Sequence, residues 1–392
     1  MKSTFRFAIA MGLMLSLAAC SGNSIKVEPA TWESLAEPGP WEVGEWNTLL
    51  WDSSRPTPPN GDYEGDSGRI LATQVYYPVD AGTPPAGPEG QADTPVPPSS
   101  GGPFPVLGYA HGFTSSNQAA RGLITHLVSH GYVVVAPNFP LSTGGAPGGP
   151  TVTDMHNQPG DLAFALQTIA ARDTAPGDAI AAVMDMDRVG IVGLSLGGAT
   201  VVIGAYHPTL QIPFAKAAVA HAPATCFFGP DFYQRAIPTM ILAGDADELV
   251  PFTTAAQRSF EFAAHNATLV RLIGGTHIGM LGIGSATGPH ADILIACAAV
   301  AEDIPSEGDA RLERLAEGIQ AGLDGNLMDP DSCTEGFCDN GFQHSMSGNR
   351  QLELTRVGTL AHFQATLRGH ADAAAFIATT LGSSEDVEVR QK

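Results

Sequence analysis

The chain has 392 residues, 44% of them hydrophobic, and carries 40 acidic against 19 basic side chains for a net charge of −21. That length and apolar content suffice for one large α/β core. The acidic balance argues against nucleic acid as a partner and against attraction to anionic lipid headgroups, so any membrane attachment must come from a separate device.

The N-terminus supplies one. Lys2 and Arg6 lead into an apolar run, Phe7 to Leu17, too short to span a bilayer comfortably, and Leu17-Ala18-Ala19-Cys20-Ser21 follows. Small residues ahead of a cysteine resemble a bacterial lipoprotein signal, in which 1–19 is removed and Cys20 is lipidated; an ordinary cleaved signal peptide is the alternative. Ser21 is compatible with outer-membrane sorting. The protein is expected to be exported, anchored in the cell envelope or secreted, with 20–40 a polar tether and 41–392 the folded domain.

Trp41 to Leu50 and Arg69 to Tyr77 read as early antiparallel strands. Between Pro78 and Pro103 lies a Pro/Gly/Ser-rich loop. Phe104–Ala110 is an apolar strand opening into His111-Gly112-Phe113-Thr114. Amphipathic helices are expected over Gln118–His130 and Asn157–Ala171, with a strand ending at Ala136 between them. The glycine- and proline-rich stretch Ser142–Pro150 follows that strand and borders whatever site forms at its end.

Asp187-Arg188-Val189-Gly190-Ile191-Val192 reads as a short buried strand and Gly198–Tyr206 as a helix, with Gly193-Leu194-Ser195-Leu196-Gly197 between them. A serine on such a corner is pushed outward, and the glycines are needed because the turn leaves no room for side chains. Ser195 is therefore read as a nucleophile rather than a turn serine. A serine hydroxyl needs a histidine base and a carboxylate to orient that base. The order Ser, Asp, His is present: Ile237–Gly244 is a strand running into Asp245-Ala246-Asp247-Glu248, and Ala267–Ile273 is another ending in Gly274-Gly275-Thr276-His277. Open α/β sheets place ligands at these strand ends. Asp247 is favoured as the acid, because Asp245 is placed to cap the turn and Glu248 to face solvent. The oxyanion hole is expected from the N–H groups of Leu196 and Phe113, with Gly112 permitting the sharp turn and His111 a structural histidine beneath it.

Together these residues resemble an α/β-hydrolase, and most closely the branch holding dienelactone-hydrolase-like esterases, chlorophyllases, platelet-activating-factor acetylhydrolases and cutinase-type bacterial polyester hydrolases. Leu127–Asn138 resembles that branch's fourth strand and preceding helix end. Asp185–Gly190 resembles its approach to the nucleophile, and Phe113-Thr114 the aromatic residue placed over the acyl group. The likeness covers roughly 67–285 and resumes near 350–381. One departure concerns substrate. Near Ala224 the polyester hydrolases carry a tryptophan that helps to grip aromatic polyesters, and this chain does not. The resemblance implies a mostly parallel twisted sheet with helices on both faces, and a closing helix here placed at Leu352–Leu381.

Between His277 and that helix lies an insertion, about 282–349, with helical stretches near 290–301 and 309–323 and an acidic, cysteine-bearing loop. It is expected either to form a lid or wall over the pocket or to elaborate the periphery. Its acidic run, Asp324 to Asp339, lacks the spacing of a known calcium loop. With Cys20 set aside, four cysteines remain, and export suggests disulfides, here Cys333 with Cys338 and Cys226 with Cys297.

The resulting expectation is a serine hydrolase of carboxylic esters, working through an acyl-enzyme on a small or polymeric ester without metal or organic cofactor. A peptidase or thioesterase on the same scaffold, and a non-catalytic envelope-anchored module, are the alternatives.

Overall fold

The computed structural model describes residues 29–83, 95–174, 176–235, 237–282, 319, 322–329, 332–333 and 345–392. In chain order these form helix α1 (Trp32–Ala36), strands β1 (Glu42–Asp52), β2 (Arg69–Val79) and β3 (Phe104–Ala110), helix α2 (Arg121–Ser129), strand β4 (Val133–Pro137), helices α3 (Gln158–Ala170) and α4 (Asp178–Ala181), and strand β5 (Met184–Leu194). Helix α5 (Leu196–Tyr206), strands β6 (Ala215–His221) and β7 (Thr239–Gly244), helix α6 (Arg258–Phe262), strand β8 (Ala267–Leu272), helices α7 (Gly348–Leu367) and α8 (Ala371–Thr379) and strand β9 (Val387–Gln391) follow.

Runs such as β3 and β4, buried at every position, must be covered on both faces, and they lie within a sheet of order β1-β2-β4-β3-β5-β6-β7-β8-β9. The six strands from β4 to β8 are parallel; β1, β2 and β9 run antiparallel to their neighbours. Helices α3 and α5 pack together against one group of strands, and α7 packs against α1, α2 and α8 as well as β5, β6 and β7. This is the α/β-hydrolase architecture that the family resemblance implies. Helix α5 is buried at all its positions, as its lack of charged residues requires.

Parallel alignment brings the strand ends of interest to one edge. Ala110 of β3 pairs with Gly193 of β5, Leu194 with His221 of β6, His221 with Leu242 of β7, and Gly244 with Leu272 of β8. A buried ion cluster fixes the flank of that edge. Arg69, at the start of β2, donates to both carboxylate oxygens of Asp161 on α3 at 2.6 Å and to Asp154 at 2.6 Å, and all three side chains are buried. A buried charge is tolerable only when paired and hydrogen-bonded in this way.

Four expectations need correction. The tether through residue 40 is not a tether over its described part: Thr31 caps α1, Leu35 is buried, and Trp32 Nε1 donates to Glu353 on α7 at 2.6 Å. The helix expected over Leu352–Leu381 is two helices, because Gly369 adopts φ +69° and turns the chain after Arg368. The C-terminus then adds β9, an edge strand with no expected counterpart. The described disulfide joins Cys226 to Cys333. It replaces both expected pairings that involve these residues, because the stretch 324–329 folds back along the loop after β6: Gly229 N–H donates to Leu327 O and Asp329 N–H to Phe227 O, each at 2.8 Å.

Asp329 also pairs with Arg258, and the Asp324 side chain accepts from Asn326 N–H, so both acidic groups serve the loop itself. Cys20, Cys297, Cys338, the signal segment and most of the insertion, including the helices expected at 290–301 and through 318, lie outside the described residues.

Candidate active site

Ser195 sits between β5 and α5 with φ +62° and ψ −119°, a backbone state that a side-chain-bearing residue adopts only under constraint. The constraint is visible in its neighbours. A Cβ on Gly193 would lie 2.4 Å from Gly197 O, and one on Gly197 would lie 2.1 Å from Ala110 O. Only glycine fits at either position, so β3, β5 and α5 close together and thrust Ser195 outward. The serine is partly exposed whereas the α5 residues that follow are buried.

The same economy of space joins β7 to β8. A Cβ on Gly244 would meet Gly275 O at 2.0 Å. The loops carrying Asp247 and His277 therefore leave the sheet in contact, and His277 Nδ1 donates to Asp247 Oδ2 at 2.7 Å. Asp247 Oδ1 accepts from Leu249 N–H at 2.9 Å and Val250 N–H at 2.8 Å, so the buried carboxylate is fixed by three donors. Asp245 is engaged elsewhere, with Arg271 and with Gly274 N–H at 2.6 Å, which is the turn-capping role expected of it. Glu248 differs from expectation: it is buried rather than facing solvent.

The histidine loop is clasped from α7, a contact that the sequence pattern does not reveal. Gln351, fully buried, accepts from Thr276 N–H at 2.9 Å and donates to Thr276 O at 2.5 Å. Met346 N–H donates to Gly274 O at 2.6 Å. The end of the insertion thus closes on the segment that presents His277.

On the other side, Gly112 lies against the serine: a Cβ there would be 3.4 Å from Ser195 Cβ. His111 is buried beneath the turn, accepting Phe139 N–H on Nε2 at 3.0 Å. Nδ1 therefore carries the proton and donates it to Gly112 O at 2.8 Å. Burial pushes its pKa down to about 4, so the ring is neutral at pH 7. The Gly112 carbonyl and the Phe113 N–H belong to one trans peptide and point in opposite directions. Holding the carbonyl against His111 aims the N–H away from it. Among the described residues neither Phe113 N–H nor Leu196 N–H donates to a protein acceptor. Leu196 opens α5, where helix N–H groups are unsatisfied and the dipole favours negative charge.

Side chains next to each of these groups converge. Phe113, Ala224 and Ile278 pack on a small cluster of Leu249, Val250 and Ala255. Phe113 follows Gly112, Ala224 N–H donates to Ser195 O at 3.3 Å, Ile278 follows His277, and Leu249 binds Asp247. This apolar wall includes three residues, Leu249, Val250 and Ile278, that the sequence reading passes over. Their only signal is adjacency to the candidate acid and base.

The site thus combines a strained serine, an Asp–His pair, two N–H groups without acceptors among the described residues and an apolar wall along one sheet edge. A search of curated proteins finds no match to the chain. The family described as PETase, PET hydrolase-like, matches residues 87–286, a span running from before β3 to beyond His277. That span is just over half of the sequence, and the sheet, the strand order and the helices around it agree with the assignment. The chain belongs to the PET hydrolase-like family, a polyester-hydrolase branch of the α/β-hydrolases, and is in general terms an ester hydrolase.

Proposed function

We propose that the protein is a serine carboxylic-ester hydrolase with Ser195, His277 and Asp247 as its triad. The Asp247–His277 hydrogen bond at 2.7 Å, on loops held together at Gly244 and Gly275, is the observation that carries this reading. Nδ1 is the nitrogen bound by the carboxylate, so proton exchange falls to Nε2.

In the forward step the Ser195 Oγ–C bond to the substrate carbonyl forms as His277 Nε2 takes the hydroxyl proton, and Asp247 stabilises the imidazolium. The carbonyl oxygen becomes an anion held by the Phe113 and Leu196 N–H groups; removing one such donor typically costs about 3–4 kcal/mol of transition-state stabilisation. The imidazolium returns its proton to the alkoxide leaving group, which departs as the alcohol and leaves an acyl-serine. Water, deprotonated by His277, then releases the carboxylic acid and restores the serine. The apolar wall of Phe113, Leu249, Val250 and Ile278 suits the uncharged portion of an ester chain. Ala224 stands near where the resembled polyester hydrolases carry tryptophan, favouring ester chains that do not need an aromatic clamp there.

The Cys226–Cys333 bridge supports an oxidising compartment, in keeping with export and an anchor at Cys20. Ser195→Ala should lower turnover of a short p-nitrophenyl ester by on the order of 10⁴-fold or more while leaving the fold intact. Undiminished turnover in that variant would overturn the assignment. Amide and thioester analogues assayed beside the ester separate this reading from a peptidase or thioesterase.

A further inference from the structure

The two oxyanion donors ride on different parts of the chain, Phe113 on the loop after β3 and Leu196 on α5. A chain of buried polar side chains runs between those parts. Thr200, one turn into α5, donates its hydroxyl to Gln158 Oε1; Gln158 Nε2, at the start of α3, donates to Ser142 Oγ at 2.9 Å. Ser142 O in turn accepts from Thr114 N–H, the residue after Phe113, at 2.9 Å. Thr200, Gln158 and Ser142 are each fully buried. The loop so reached is braced along its length: Ser115 bridges Thr143, Gly144 N–H donates to Ser115 O at 3.2 Å, and Thr143 Oγ1 donates to Ser115 O at 2.9 Å. Thr114 itself is held at φ +55°, a conformation that needs support from outside.

We propose that Gln158 is a positioning residue for ester hydrolysis, a buried cross-tie that sets the separation between the Phe113 and Leu196 N–H groups. This rests on the serine-hydrolase reading above. A buried primary amide aligned between two hydroxyls is costly to bury unless both ends are satisfied. Here both ends are satisfied: Thr200 belongs to the helix that carries Leu196, and Ser142, on the loop after β4, holds through its carbonyl the loop that carries Phe113. Donors aimed at a developing charge must hold their positions to a fraction of an ångström, because no reorganisation is available at the moment of reaction.

The arrangement also allows a clean test. Thr200 Oγ1 lies 3.0 Å from Leu196 O, and the Ser142 hydroxyl can rotate, so replacing Gln158 by an apolar side chain of similar length strands few polar groups. Gln158→Met is therefore expected to fold. It should lower kcat for a short p-nitrophenyl ester about 10-fold, less than the roughly 10²–10³-fold lost with a whole donor, and leave KM within about twofold. Affinity for an alkyl boronic acid, which forms a tetrahedral anion on the serine, should fall by a similar factor. Thr200→Val should reproduce the kcat loss and Thr200→Ser should restore it, and the double variant should be no worse than Gln158→Met alone. If Gln158→Met does not fold, the Thr200 pair decides the question. A fall in melting temperature with kcat and boronate affinity unchanged would reduce the cross-tie to a packing element and overturn the proposal. Absence of ester turnover in the wild type would instead overturn the underlying reading.

Discussion

At the scale of single residues, the site is shaped by where side chains are missing. Gly193, Gly197, Gly244 and Gly275 each occupy a place where a Cβ would strike neighbouring backbone or a packed side chain, and together they set the distances among β3, β5, β7 and β8. Gly244→Ala pushes the new methyl into Gly275 O at 2.0 Å, backbone against backbone, so one of the two loops must shift. The expected outcome is a loss of at least about 10²-fold in kcat/KM, as a displacement of 1 Å is known to cost, with a destabilisation of about 1–3 kcal/mol typical of an overpacked site. Urea unfolding and ester kinetics on one sample check both, and activity retained in full would show that the loops tolerate separation. The strand-end positions of Ser195, Asp247 and His277 are legible in the sequence, because each follows closely on an apolar run that ends in glycine and so has few other places to go. Glu248 is misread because charge alone suggests solvent, whereas in the fold its side chain is buried beside Asp247. Gln158 and Gln351 give no signal: an amide beside Pro159 reads as a solvated helix start, and Gln351 reads as one polar position among many on α7.

At the scale of elements, the parallel strands announce themselves because burial on both faces removes polar residues from them. β9 does not, since Val387-Glu388-Val389-Arg390-Gln391 buries only one position fully and lies on the sheet edge. The disulfide illustrates a different limit. Proximity in sequence favours Cys333 with Cys338, but pairing is decided by where the 324–329 stretch docks, and that depends on backbone bonds to Phe227 and Gly229. The bridge closes a separation of 107 residues, for which chain-entropy arguments give up to about 5 kcal/mol and typical measurements about 2–4 kcal/mol. Cys226→Ser, or thiol reduction, should destabilise the protein by about 2–4 kcal/mol to urea. Because Cys226 lies two residues beyond Ala224, activity at saturating substrate should fall less than stability does. A bridge-free protein of unchanged stability would show that the docking of 324–329 suffices alone.

At the scale of the whole molecule, the interior holds several histidines in neutral form. Burial lowers the pKa of His111 and His362 to about 4 and of His126 and His221 to about 3. Each folded value lies below the ordinary value of 6.5, so the unfolded chain takes up protons first as pH falls. The stability they contribute is present above about pH 6.5 and is lost progressively toward pH 4 and then 3, at roughly 1.4 kcal/mol per histidine per pH unit. Urea titrations at pH 7 and pH 5.5 should therefore differ by several kcal/mol, before most carboxylates are protonated. Equal stability at the two values would mean that these rings are accessible to protons in the folded state.

The account depends above all on Ser195 being the atom donor that attacks the ester. Intact-mass analysis after treatment with a fluorophosphonate, run on wild type and Ser195→Ala, addresses that directly. A single stoichiometric adduct mapped to Ser195 in the wild type, absent from the variant along with ester turnover, is the predicted result. An adduct on another serine, or a variant that labels and turns over like the wild type, would contradict it.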